Sequence, residues 1–398
     1  MKVVRKLNLD DYPELKSKSL TILLGILNSD GLNARMVGGC ARDALLGRKI
    51  IDIDIACSLA PEISMKRFDK AEIKVIPTGL KHGTITAVIN GQHFEITTLR
   101  RDVETDGRHA KVAFTDDWGT DAARRDFTIN ALYLDEDGSL YDPCDGLGDL
   151  EGRQVRFIGD AGERITEDAL RILRFFRFAA QIDGAELDKA GVAACMENKN
   201  LIGHLSGERL AQELFKILAA DNVVSILNKM DKAGIIAEIL PNYKDCEKAC
   251  NYIQFENKMG RCDILARLSC LIGEKVDDIS RHLKLSNSQA KTLKEYNEHD
   301  IIVHDALNKK DARKYIYLWG RDVFIFALLQ NSLNCQMLDF AESWAIPIFP
   351  LLGRDLIKVG IKAGPTLGQN LKRLENEWIE GDFNLSKEEL ISRIKYPQ

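Results

Sequence analysis

The feature that most constrains this chain is a change of hydrophobic period near residue 160. Before it, short runs alternate or are continuously apolar and are rich in Ile, Val and Thr: "ARMVGG", "IIDIDIA", "GTITAVI", "HFEITTL" and "TINALYLD". Period-two patterning of this kind predicts β-strands. After it, "EDALRILRFFRFAAQI", "GERLAQELFKILAA" and "NLKRLENEWI" place apolar residues at helical spacing almost to the end of the chain. The stretch Tyr141 to Gly159 between them is dense in Gly, Asp and Pro and is predicted to be turns. The fold class expected is therefore α+β, a mixed α/β head followed by a long all-helical remainder. At 398 residues the chain is long for a single core. Pro241 and the stretch from "AIPIFP" to "GRDLIKVGIKAGPT" are candidate breaks.

Composition excludes several classes. No run of about 18 apolar residues exists, so no membrane-spanning helix is expected, and Met1 to Asp10 has no apolar signal-peptide core. The nine cysteines are odd in number and lack a framework spacing, as expected of thiols in a reducing, cytoplasmic setting. Cys246 and Cys250 stand four apart with Cys262 beyond, but without a CxxC pair or a nearby histidine they make a poor zinc set. The net charge of −5 requires any binding of a polyanion to use a local basic stripe.

Three constellations carry chemistry. In the first, a strand enters Gly38-Gly39 and is followed by "CARDALLG". Paired glycines let the backbone approach a ligand, the helix start offers N–H groups to phosphate, and Arg42 adds a guanidinium fork. Then "Ile51-Asp52-Ile53-Asp54-Ile55" alternates, so on a strand both carboxylates share one face. Two like charges so placed call for a cation, and Mg²⁺ suits carboxylate and phosphate oxygens. Alone, such a pair is more often a solvated edge strand. Glu95, in another alternating run, is a candidate third carboxylate, with a surface ion pair as the equal alternative. The second constellation is "Arg124-Arg125-Asp126-Phe127-Thr128-Ile129-Asn130-Ala131", suited to triphosphate and ribose contacts. The third opens with Thr166, read as a helix N-cap with Glu167 and Asp168 in the first turn, and continues through Arg171, Arg174 and Arg177. A carboxylate beside a guanidinium presents an acceptor next to donors. That matches the amine and ring-nitrogen edge of cytosine or adenine and rejects uracil and guanine.

In order and spacing, Gly38-Gly39 with Arg42-Asp43, then Asp52 and Asp54, then "RRDFTINA", then "EDALRILRFFRFAA" resemble class II tRNA nucleotidyltransferases and bacterial poly(A) polymerases, of the DNA polymerase β-like superfamily. Cys40-Ala41 departs from the small residue and valine common at that point. The resemblance implies a small nucleotidyltransferase head with a mixed or antiparallel curved sheet (1–155), a helical neck carrying the base-reading helix (156–220), a helical body (221–335) and a helical tail that binds tRNA (336–398). It implies Mg²⁺ on Asp52 and Asp54, and nucleotide contacts from Gly38, Gly39, Arg42 and Arg125, with Asp126 near the ribose. Asp168 and Arg171 would read the base, Glu167 would orient Arg171, and Arg174 and Arg177 would hold phosphates. The expected partners are tRNA, CTP and ATP, and the expected reaction is template-independent addition of CCA. A poly(A) polymerase, or an enzyme adding only CC or only A, is the alternative. No basic "GRRF"-type signature of the poly(A) branch is present. The segment Arg100 to Trp118 corresponds to the family's loop needed for A addition, and Asp142 to Gly159 to its flexible hinge. His299-Asp300 and His304-Asp305 are read as surface helix residues, since a phosphohydrolase domain would need spaced partner histidines.

Overall fold

A computed structural model describes residues 1–106, 109–241, 243–273, 275–299, 307–331 and 335–394. It divides into two compact units, Met1–Pro241 and Asn242–Gln398. The expected boundaries at 155 and 220 fall inside the first unit and that at 335 inside the second.

In the first unit the strands are β1 (Val3–Lys6), β2 (Ala34–Val37), β3 (Asp54–Cys57), β4 (Lys74–Gly79), β5 (Thr84–Ile89), β6 (Gln92–Thr98), β7 (Arg100–Asp106), β8 (His109–Phe114), β9 (Tyr133–Leu134), β10 (Ser139–Tyr141), β11 (Gln154–Val155) and β12 (Glu186–Leu187). Eight form one sheet in the order β1-β10-β9-β2-β3-β6-β5-β4. The sheet is mixed: β3 runs parallel to β6, while β2 is antiparallel to both β3 and β9. The helices α1 (Lys18–Leu27), α2 (Gly39–Leu45) and α3 (Pro61–Lys70) accompany this sheet. After them come α4 (Trp118–Ala123), α5 (Gly146–Glu151), α6 (Ala161–Glu167), α7 (Leu170–Gln181), α8 (Lys189–Glu197), α9 (Gly207–Leu218), α10 (Val223–Lys232) and α11 (Ile235–Ile239).

The alternating sequences fold as their period dictates where one face is buried. In β5, Ile85, Ala87 and Ile89 point into the core while Thr84, Thr86 and Val88, on the other face, are half-buried. Between sheet and helices lies a cluster of rings: Phe127, Phe157, Phe175 and Phe178, with centroids 4.9–6.0 Å apart. Aromatic pairs at these separations add to the area they bury. They join the "RRDFTINA" segment to α7.

Three expectations are corrected. "IIDIDIA" is a strand only from Asp54, so Asp52 precedes β3 instead of sharing its pleat. The segment Arg100 to Trp118 is no simple loop: β7 and β8 pair antiparallel as a hairpin, and Trp118 opens α4 under an Asp117 cap. The turn-rich stretch from Asp142 contains α5, whose start is held by the Asp142 carboxylate accepting from Gly146 and Leu147 N–H. Gly146 is required here, because a Cβ on it would lie 2.1 Å from the Thr128 carbonyl oxygen.

In the second unit every described element is a helix, from Glu247–Lys258 to Lys387–Ser392. One core gathers Leu351, Leu356, Leu374, Trp378 and Leu390. Another region seals a buried ion pair, Arg267 with Glu256, 2.5 Å apart. His299 follows the helix Asn287–Glu298 and stacks on Trp319 at 4.6 Å. Asp300, His304 and Asp305 lie outside the described residues. Among the described residues no helix is long and apolar enough to cross a membrane. No group of three or more His, Cys, Asp or Glu there could by itself hold a metal ion, the surroundings of Cys246 and Cys250 included.

Candidate active site

The site is organised by register. Asp54 lies opposite Glu95 in the β3–β6 pair and opposite Val37 in the β2–β3 pair. Gly38, next after Val37, leaves the strand with φ of 73° and caps α2. That dihedral suits glycine. The Arg125 guanidinium lies beside the turn, 3.8 Å from where a Gly38 Cβ would be. Asp52, Asp54 and Glu95 line one open cleft of about 570 Å³ with Ile51, Ile53, Thr86 and His93. All three carboxylates reach solvent. Loss of water around the Asp54 carboxyl raises it above the usual carboxylate range, as do Glu95 and Asp52, while Arg125 pulls the other way. A group whose charged form is disfavoured by two neighbouring acids is one that a cation relieves. The donors are hard oxygens, the kind Mg²⁺ takes together with substrate phosphates. The carboxylates fit such an ion as a partial ligand set to be completed by substrate and water.

The arginines are individually anchored. Arg125 meets Asp121 at 3.0 Å and donates to the Tyr133 hydroxyl. Arg124 meets the other Asp121 oxygen at 2.6 Å, and Tyr133 donates to Asp121 at 2.8 Å. Asp121 is 1% exposed. Burial would raise its carboxyl, but Arg125 and Arg124 outweigh it and hold the group below its ordinary value. Arg42 is clasped by Asp43 and donates to Asn130 Oδ1 at 2.7 Å. Asn130 in turn donates to Asp126, which is also gripped by Arg174. Gly39 begins α2, a helix of seven residues.

The neck differs from its sequence reading. Thr166 is not an N-cap. It sits in the last turn of α6, bonding back to the Glu163 carbonyl, and Asp160 caps that helix. Asp168 is extended between α6 and α7, with φ −154° and ψ 104°. Tertiary partners set this break. Arg164, buried in α6, donates to the Arg125 carbonyl at 2.8 Å and ties the neck to the "RRDFTINA" segment. Glu167 pairs with Arg171 at 2.5 Å and, through the same oxygen, with Arg164. Asp168 and Arg171, however, are not paired to each other: Asp168 is held by Arg209 of α9, at 2.8 and 3.0 Å. Arg174 is engaged by Asp126 instead of standing free for phosphate. Arg177 is buried, over the Phe178 ring and 3.0 Å from Glu213 of α9. Burial lowers it to about 10, against the pull of Glu213. Sequence reasoning missed Asp121, Tyr133, Arg164, Arg209 and Glu213. Two of them carried a local signal: Asp121, three and four residues before Arg124 and Arg125, and Arg164, three before Glu167.

The Gly38 turn with Arg125 beside it, the cleft lined by Asp52, Asp54 and Glu95, and the carboxylate-anchored Arg42 and Arg125 are features that nucleotidyl transfer would call on. In agreement, residues 34–156 match the model of the poly A polymerase head domain, and residues 184–246 that of a probable RNA and SrmB-binding site of polymerase A. The chain is 36% identical to the mitochondrial CCA tRNA nucleotidyltransferase 1 of Mus musculus, over 98% of this chain and 93% of that one. It is 32% identical to the CCA-adding enzyme of Streptococcus gordonii, over 98% of this chain and 99% of that one. The crystal structure of the Bacillus stearothermophilus CCA-adding enzyme in complex with CTP superposes with a TM-score of 0.79 at 27% identity, covering 94% of this chain and 95% of that one. The chain belongs to the CCA-adding tRNA nucleotidyltransferase family.

Proposed function

We propose that this enzyme adds CCA to the 3′ end of tRNA, using CTP twice and ATP once without a nucleic-acid template. The observation that carries the reading is the register of Asp54 against Glu95, beside the Gly38 turn and the Arg125 guanidinium. Asp52 and Asp54 would hold Mg²⁺, with Glu95 adjoining. When bound, the metal would lower the pKa of the attacking 3′-hydroxyl and neutralise the departing pyrophosphate. The chain's own part is positioning. The Gly38–Gly39 backbone admits the phosphates closely. Arg42 and Arg125, each fixed by a carboxylate, offer donors that need no reordering when nucleotide arrives. Asp126 would face the ribose while setting Arg174 and Asn130. Asp168 would accept from the exocyclic amine of cytosine or adenine, and Arg171, held by Glu167, would donate to the ring nitrogen. Arg174 and Arg177 would lend positive potential to the phosphates. The 1–155 head would do the chemistry, 156–220 the base reading, and the body (221–335) and tail (336–398) would hold tRNA. Cysteines that are free among the described residues fit a reducing, cytoplasmic setting.

The test incubates the enzyme with tRNA lacking CCA and single nucleotides, sizing the products on a gel. CTP alone should add two residues, and ATP should add one to the CC product. A poly(A) ladder from ATP would overturn the proposal in favour of a poly(A) polymerase, and failure of either step would leave a partial enzyme.

A further inference from the structure

Asp168 occupies an unusual position for a group asked to discriminate between bases. It lies between two helices in extended backbone, so no helical turn of its own fixes the side chain. Three contacts do so. Its Oδ1 accepts from the Leu170 N–H at 3.1 Å, and one nitrogen of Arg209, Nη2, reaches Oδ1 at 3.0 Å and Oδ2 at 2.8 Å. An ionised carboxylate has about four acceptor sites. With three occupied, the one remaining is on Oδ2. Arg209 is carried by α9, which packs along α7. One turn further, Glu213 faces Arg177, so α9 holds both α7 and the residue that leads into it. Both side chains of the Asp168–Arg209 pair are 26% exposed. A pair so open to water contributes little to stability, but a ligand can reach it.

We propose that Arg209 is a positioning residue for nucleotide choice: by engaging both oxygens of Asp168 it leaves a single acceptor, aimed to take the exocyclic amine of cytosine or adenine. This rests on the base-reading role given to Asp168 above. Without Arg209 the carboxylate pivots about its Leu170 bond and has three vacant acceptor sites, one on Oδ1 and two on Oδ2. The requirement for an amine at one place is then relaxed, and both correct nucleotides bind less well.

The test uses the full-length enzyme with tRNA lacking CCA or ending in CC, and kcat/KM for all four nucleotides. Arg209→Gln and Arg209→Met are made in parallel, so that either folded variant suffices, with thermal melts and tRNA affinity recorded. The preference for CTP and ATP over UTP and GTP should fall about tenfold, equivalent to about 1.4 kcal/mol, while melting temperature and tRNA affinity stay near wild type. Arg209→Lys, which retains a cationic donor, should recover part of the preference. Asp168→Ala should lower the preference too, and adding it to Arg209→Gln should give no more than Asp168→Ala alone, since residues acting through one group are not additive. Unchanged preference in Arg209→Gln, or a fully additive double mutant, would overturn the proposal while leaving the Asp168 reading intact. Unchanged preference in Asp168→Ala would overturn that reading and this one with it.

Discussion

Asp121→Asn is the sharpest probe of how the head holds Arg124 and Arg125, the second of which is proposed to contact nucleotide. The carboxylate is 1% exposed and accepts from Arg124, Arg125 and the Tyr133 hydroxyl. Asparagine keeps the shape but removes the charge and turns one acceptor into a donor facing guanidinium. Removing one partner of a buried ion pair costs about 3–5 kcal/mol, because the other charge is left uncompensated. Here the Arg124 and Arg125 side chains retain 16% and 17% exposure, so water screens them. The lower end, about 3 kcal/mol, is expected. For a unit of this size that corresponds to a melting temperature lowered by about 6–12 °C. The pH dependence has a definite sign. Asp121 is depressed in the fold, so its stabilisation is full above the ordinary carboxylate pKa and disappears as pH falls through the depressed value. The gap between wild type and mutant should therefore be constant near neutrality and close in acid. Arg125 loses its anchor as well, and kcat/KM for CTP should drop about tenfold or more. Calorimetry at several pH values, beside single-nucleotide kinetics, measures both effects. A mutant melting within about 2 °C of wild type with unchanged kcat/KM would refute the idea that Asp121 organises these arginines.

Asp52→Asn or Asp54→Asn should abolish both C and A addition while tRNA binding, measured by gel shift, stays near wild type; normal incorporation by either variant would remove the metal assignment. Shortening the β7–β8 hairpin should spare CC addition and lose the terminal A, and equal loss of both steps in the nucleotide-omission assay would make it only structural. Gly146→Ala forces a Cβ onto the Thr128 carbonyl, so destabilisation at or above the upper end of the about 1–3 kcal/mol usual for overpacking is expected in denaturant melts.

Much of the head could be read from the sequence because its signals are local. β5 and β6 bury alternate residues, and that period survives any tertiary context. The three carboxylates were identifiable for the same reason: Asp54 and Glu95 sit in alternating runs, and the register brings them together. What failed was the extent of elements. Asp52 alternates with its neighbours as a strand residue would, yet β3 starts two residues later, since Ile51 is 81% exposed and no buried face pays for pleating there. β1, whose four residues are all exposed, had no pattern to detect, and it is held by antiparallel pairing with β10.

The neck shows a different kind of limit. "TEDALRILRFFRF" has a complete local grammar for one helix: a capping threonine, acids in the first turn, arginines at helical intervals. The chain nevertheless stops one helix at Glu167 and begins another at Leu170. The break is fixed by partners distant in sequence, Arg164 reaching the Arg125 carbonyl and Arg209 reaching Asp168 from 41 residues away. Helix pairs at i,i+3 and i,i+4 contribute only tenths of a kcal/mol, too little to preserve a continuous helix against such contacts. The same long-range pairing decides which charges remain for a ligand. Asp126 and Glu213 offset the charges of Arg174 and Arg177, the arginines expected to hold phosphates, and the positive groups nearest the Gly38 turn are Arg42 and Arg125. An acidic protein can thus build a focused, pre-set positive site without a broadly basic surface, because carboxylates fix the arginines in advance, Asp43 holding Arg42 and Asp121 holding Arg125.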